Sequence, residues 1–205
     1  KTLSAIGVAS ITGTPTYTST GTTTGYITVT WSEGVYTNSG PASGSVVAAD
    51  FTRAFTQNAG GNSTDAVVSC VTNTASTDCT GIPGTAPAAG ATTMRIHITN
   101  TGTTSGVETI QVSAATNEIF SSTSGVTPNT VNTGTITFPD RLAPNAPAGL
   151  DLDAADDTGS SNSDNITSQT ANLTITGTAE ANSTVRLYQP NSSGTLLQTV
   201  TANGS

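Results

Sequence analysis

Residues 25–31, GYITVTW, alternate strictly: Ile27, Val29 and Trp31 fall on one side of an extended chain, and Tyr26, Thr28 and Thr30 on the other. A strand with one buried face requires this period of two, because successive side chains leave a pleated backbone in opposite directions. Residues 93–99, TMRIHIT, repeat it, with Met94, Ile96 and Ile98 opposite Arg95 and His97. The spacing predicts two half-buried strands and places His97, the sole histidine, at the solvent face. Trp31 shares the apolar face, so core packing is expected of it rather than stacking on a ligand.

Further strands are expected in SAIGVASIT (4–12), SVVAADFTRAF (45–55), AVVSCVT (66–72), VETIQVSA (107–114) and GTITF (134–138), each bounded by Gly, Pro, Asn or Ser. Nowhere does an apolar i, i+3, i+4 pattern persist over three turns. The expected fold is therefore all-β: an immunoglobulin-like β-sandwich over residues 1–139. Residues 140–148 lie in FPDRLAPNAPAGL, where the prolines lack an amide donor and fix φ, and read as a short, stiff linker. Residues 149–205 alternate again in ANLTITGTA, STVRLYQ and TLLQTVTA, predicting a second sandwich that lacks its last strands.

Composition narrows the function. The 205 residues carry a net charge of −8 with only 9% charged side chains, and 34% are hydrophobic. Lys1, Arg53, Arg95, Arg141 and Arg186 are too few and too scattered for the basic stripe that a phosphate backbone demands, which argues against nucleic acid. No run of about 18 apolar residues predicts a membrane-spanning helix. The first residues lack the apolar core of a signal peptide, so the chain reads as an already processed or excised segment. Cys70 and Cys79 are the only cysteines, with no histidine nearby in sequence to complete a zinc site. A disulfide between them is expected, and with it an oxidising, extracellular compartment. No nucleophile elbow or Cys–His arrangement surrounds His97, and no enzymatic activity is expected.

The unusual stretch is GLDLDAADDTGSSNSDNIT, residues 149–167. It holds five of the nine aspartates, and no Lys or Arg occurs between Arg141 and Arg186. Carboxylates so crowded repel unless screened or bound to a cation, and calcium takes six to eight hard oxygen ligands. As an EF-hand starting at Asp151 the spacing fails: the third ligand position is Ala155, the glycine position is Asp156 and the last is Asn162. Alternation sets Asp151 and Asp153 opposite Leu150 and Leu152, on an outer face. A solvated acidic loop without an ion is the competing reading. Glu33, Asp50, Glu108 and Glu118 could make another site if gathered, but separate exposed carboxylates are the simpler expectation.

Residues 140–205 resemble the bacterial Ig-like repeats of large surface adhesins and biofilm-associated proteins. The likeness lies in D-x-x-A-P-x-A-P (140–147), LDLDAADDTGSSNSDNIT (150–167), LTITGTAEANSTVRLY (173–188) and TVTANGS (199–205). Residues 1–139 resemble another such module more loosely, through ITVTWSEGVY (27–36), AADF (48–51) and SGVETIQV (105–112). The resemblance implies a non-enzymatic, extracellular stalk or adhesive module, neighbouring Ig-like domains as partners, and calcium at or near domain junctions. It implies Asp151, Asp153, Asp156, Asp157 and Asp164 as ligands. Asp140 could reach a junctional ion or serve only as a turn residue. Two alternatives stand beside the stalk: a filament or surface-layer subunit completed by a strand from an identical neighbour, and a glycan-binding accessory module of a secreted hydrolase.

Overall fold

The computed structural model describes residues 8–39, 42–82, 84–121, 130–189 and 192–203. Expectations resting on residues 4–7, and on the last two residues of TVTANGS, lie outside the described residues. The chain divides into two compact units, residues 1–142 and 143–205. Among the described residues the regular structure of both is β, apart from one 3₁₀ turn in the first.

In the first unit GYITVTW lies within a 13-residue strand, β3 (Thr24–Tyr36). It follows β1 (Ile11–Thr12) and β2 (Tyr17–Ser19). After it come β4 (Asn38–Ser39), β5 (Ala42–Ser43), β6 (Phe51–Thr56), β7 (Asp65–Thr72), β8 (Ala91–Thr101), β9 (Thr109–Ala114), β10 (Phe120–Ser121) and β11 (Ile136–Thr137). β4 and β5 form a small separate hairpin. β8 pairs antiparallel with one edge of β3, matching Ile27 to Ile96 and Val29 to Met94. β1, β2 and β10 pair with residues of β3 that β8 already engages, so the three short strands share its other edge. β7 completes this sheet beyond β8, and β11-β9-β6 forms a second.

Side chains of both sheets meet in one core. Ile27, Val29, Trp31, Met94, Ile96 and Ile98 of the first sheet join Ile110, Val112, Ala114 and Ile136 of the second, with Phe138 beside them. This is the packing of a β-sandwich, in which the apolar row of each strand turns inward. Trp31 is only 2% exposed, as its place in the row predicts.

SVVAADFTRAF was expected as a single strand but is broken by a 3₁₀ turn, Ala48–Asp50, before β6. The turn is closed by the Asp50 side chain, whose Oδ2 accepts the Val47 backbone N–H at 2.7 Å. A short polar side chain offers the backbone such an alternative to ladder pairing. Asp50 is thus buried rather than exposed. Burial raises its pKa, the Val47 amide opposes the rise, and the nearby Glu118 carboxylate adds to it.

Glu108, also expected at the surface, is fully buried. Its Oε1 accepts the backbone N–H groups of Asn62 and Ser63, each at 2.7 Å, and its Oε2 accepts that of Ser105 at 2.9 Å. The carboxylate therefore ties the β6–β7 turn to the β8–β9 turn. Asp50 and Glu108 serve different turns and form no joint site.

The second unit contains β12 (Ala148–Leu152), β13 (Ile175–Thr178), β14 (Thr184–Gln189) and β15 (Thr195–Thr201). β12 pairs with β13 and β14 with β15, as two separate two-stranded ladders. β12 begins inside the expected linker, at Ala148. The ladder is irregular between Ala148 and Asp151, where Gly149 adopts φ +60. That break disturbs the expected alternation: Leu152 is buried whereas Leu150 is 62% exposed. Among the described residues of this unit only Leu152 and Asp157 are buried, while Ile175, Leu196, Leu197 and Val200 remain exposed.

The Glu108 clamp makes a pH-dependent contribution of known sign. Burial disfavours the charged carboxylate, but the amides of Ser63, Ser105 and Asn62 outweigh it and hold the pKa below the ordinary value of 4.5. Stability from this group is fully present above that value and is lost as the pH falls through the lower folded value. Glu108→Gln should cost about 1–3 kcal/mol at neutral pH. It should also flatten the loss of stability in acid, as read from urea unfolding midpoints at pH 7 and below pH 4.5.

Candidate metal centre

The acidic stretch folds back on itself through its own carboxylates. After β12, the Asp153 carbonyl accepts the N–H groups of Asp156 at 2.8 Å and Asp157 at 3.0 Å, forming a tight turn. Asp153 Oδ1 accepts the Ala155 N–H at 2.9 Å, and Asp156 Oδ2 accepts the Thr174 N–H at 2.7 Å across to the returning chain. Asp164 Oδ1 accepts the Ile166 N–H at 3.1 Å. Asp157 Oδ2 accepts the N–H of Asn165 at 3.0 Å, and Asn165 Oδ1 in turn accepts the Leu152 N–H at 2.7 Å. Asn165 holds φ 59, a left-handed conformation that asparagine tolerates better than most residues.

Backbone amides therefore answer part of the question of what keeps these carboxylates together. Each N–H dipole stabilises an anionic oxygen without a basic side chain. Asp157 is served on one oxygen only. It is 3% exposed, yet its Oδ1 has no hydrogen-bond partner. A buried, unpaired carboxylate oxygen is costly, and a cation can satisfy it, as can a water or another N–H or O–H donor.

The five aspartates do not converge into a finished cage. Among the described residues, no three of them bring carboxylate oxygens within 4.8 Å of one another. Asp151 and Asp153 are exposed at the end of β12, Asp164 is exposed on the returning arm, and Asp156 is partly covered. Asp140 belongs to the first unit, where it bridges to Ser105 and its Oδ1 accepts the Leu142 N–H at 2.9 Å, the geometry of a turn residue. Carboxylate oxygens are the donor class that calcium takes, and Asp157 Oδ1 is the one buried carboxylate oxygen of the loop without a partner. The other carboxylates would have to close in to complete six or more ligands.

A second cluster lies in the first unit, and sequence reading missed it. Cys70 and Cys79 are joined in a disulfide. Cys70 stands opposite His97 in the β7–β8 ladder, and Tyr26 stands opposite His97 on the β3 side. His97 is only 3% exposed, not at the solvent face. The alternation was read correctly, but the outer face is covered: residues 73–82 return over it, pinned by the disulfide and by Arg95 Nη1 donating to the Ser76 carbonyl at 2.6 Å. The Arg95 guanidinium also lies 4.2 Å above the Tyr26 ring. Burial lowers the His97 pKa and the neighbouring Arg95 charge lowers it further, against a smaller opposing pull from Asp78.

No signal in the sequence could place His97 beside the cysteines. They are 27 and 18 residues away, and only strand register closes that gap. None of the family models, curated proteins or solved structures compared with the chain matches it.

The Asp157–Asn165 bond can be isolated. Asp157→Ala should release the Asn165 amide, which then exchanges its hydrogen faster in calcium-free buffer. Asp157→Asn keeps an acceptor and should preserve that protection while removing the uncompensated charge. Site-resolved exchange by NMR distinguishes the two outcomes.

Proposed function

We propose that this chain is a non-enzymatic, calcium-binding structural module of a secreted or surface-attached bacterial protein, a segment of a stalk of Ig-like repeats. One observation carries the calcium reading: the partnerless, buried Asp157 Oδ1 at the centre of an acidic loop. An ion bound there would satisfy that oxygen and draw in Asp151, Asp153, Asp156 and Asp164. Binding and loop closure are thus a single event. The acidic loop follows the proline-rich segment directly in sequence. An ion held there would order the start of the second unit beside that segment and so stiffen the stalk.

Two further features support the reading. The first unit is an all-β sandwich, the usual stock of extracellular repeat proteins. Its disulfide is compatible with an oxidising compartment.

A second reading has an observation of its own. Leu150, Ile175, Leu187, Leu196, Leu197 and Val200 are between 37% and 62% exposed on the strands of the second unit. Two-stranded ladders are marginal alone, and a strand from a second copy of the chain would cover this surface. In that case the module is a filament subunit.

One experiment separates the readings. Small-angle scattering at several protein concentrations, in EDTA and in millimolar calcium, reports both stiffness and mass. The stalk reading predicts constant monomer mass and a narrower distance distribution with calcium, an effect that Asp157→Asn abolishes. Identical distributions in both buffers would contradict the stiffening. Mass rising with concentration would favour assembly.

A further inference from the structure

We propose that Cys70, Cys79 and His97 form a binding site for a thiophilic divalent cation such as zinc, open only when the disulfide is reduced. The two sulfurs and a His97 ring nitrogen already lie within 4.8 Å of one another. Ligands around a tetrahedral zinc stand roughly 3.5–3.8 Å apart, given Zn–S near 2.3 Å and Zn–N near 2.0 Å. On reduction the two sulfurs, about 2.0 Å apart in any disulfide, must separate by about 1.7 Å, and the ring nitrogen close by up to about 1.3 Å, to assemble the set.

The histidine is oriented for the task by its other neighbour. Thr72 Oγ1 lies 2.8 Å from His97 Nε2 and donates its own proton to the Asn73 carbonyl at 3.0 Å. In the tautomer this arrangement favours, the hydroxyl accepts from Nε2–H and the lone pair lies on Nδ1. A ligating imidazole is commonly fixed in this way, through the nitrogen that does not bind the metal. A cleft of about 290 Å³, lined by Ser69, Thr77, Asp78, Cys79 and His97 among others, borders the cluster and leaves room for a water to complete the coordination.

The loop that carries Cys79 does not rely on the disulfide alone. Arg95 holds the Ser76 carbonyl, and the Asn73 N–H donates to the Thr85 carbonyl at 2.8 Å. After reduction these bonds keep Cys79 over His97. Cys79 is more exposed than the 7% exposed Cys70, so an incoming thiolate attacks the Cys79 sulfur. With a dithiol reductant, the Cys70 thiolate leaves and the second reductant thiol then displaces Cys79. The products are two protein thiolates, a cyclic disulfide of the reductant and two protons, the electrons having passed from the dithiol to the protein sulfurs. The ion then binds both thiolates and His97. Oxidation by a disulfide-class oxidant reverses this: the S–S bond reforms and the ion is expelled. Bond and ion exclude each other, and before oxidation the ion would hold the loop in the disulfide's place.

The test uses the full chain, reduced with a phosphine, freed of reductant under anaerobic conditions and titrated with zinc alone against a chromophoric competitor. The reduced chain should bind one equivalent more than the oxidised chain, whose aspartates are unchanged. Cobalt substituted for zinc should give a thiolate-to-metal charge-transfer band that Cys79→Ser weakens. Thr72→Val should weaken zinc binding about 10-fold. Because His97 is the sole histidine, its ring nitrogen resonances can be followed in the native sequence without any variant that might fail to fold. A Nδ1 shift at one equivalent of zinc supports the site. No extra zinc on reduction, or His97 nitrogens unmoved by it, would overturn the proposal.

Discussion

Everything in the first unit hangs on the pairing of β3 with β8. This ladder places Ile27 against Ile96 and Val29 against Met94 on the inner face, and so supplies the middle of the core. Its outer face carries Tyr26, Arg95 and His97, the surface on which residues 73–82 settle. One register thus sets a dry interior on one side and a polar cluster on the other. A slip of one residue would exchange the two faces and lose both.

The period-two rows of β3 and β8 were legible because a half-buried strand records its environment in every second residue. Their non-local consequences were not. Whether an outer face meets water depends on where a connecting loop returns, and His97 was misplaced for that reason alone. Asp50 and Glu108 were misread because a carboxylate surrounded by backbone amides has no mark in sequence that separates it from a solvated one. The interruption of SVVAADFTRAF follows from the same cause: a side chain recruited to close a turn outweighed the strand pattern.

The acidic loop was legible in composition and only partly in geometry. Its aspartates are spent mainly on the chain's own N–H groups, which the spacing does not reveal. What singles out Asp157 is burial together with an unanswered oxygen, a fact of the fold. The two units also differ in kind. The first is organised by a shared apolar core, whereas among its described residues the second is organised by ladder bonds and by the Asp–Asn loop network, with most of its apolar side chains in solvent. Such a unit gains proportionally more from any bound ion or covering strand, since ligand binding adds directly to a small intrinsic stability.

If the β3–β8 ladder is the frame on which the rest depends, its amides should open only with global unfolding of the first unit, while amides paired outside the core open locally. Native-state hydrogen exchange measures this residue by residue. The account predicts the highest protection at Ile27, Val29, Ile96 and Ile98, with β14–β15 amides exchanging far faster in the absence of calcium. Protection of the β3–β8 amides no greater than that of β14–β15 would contradict it.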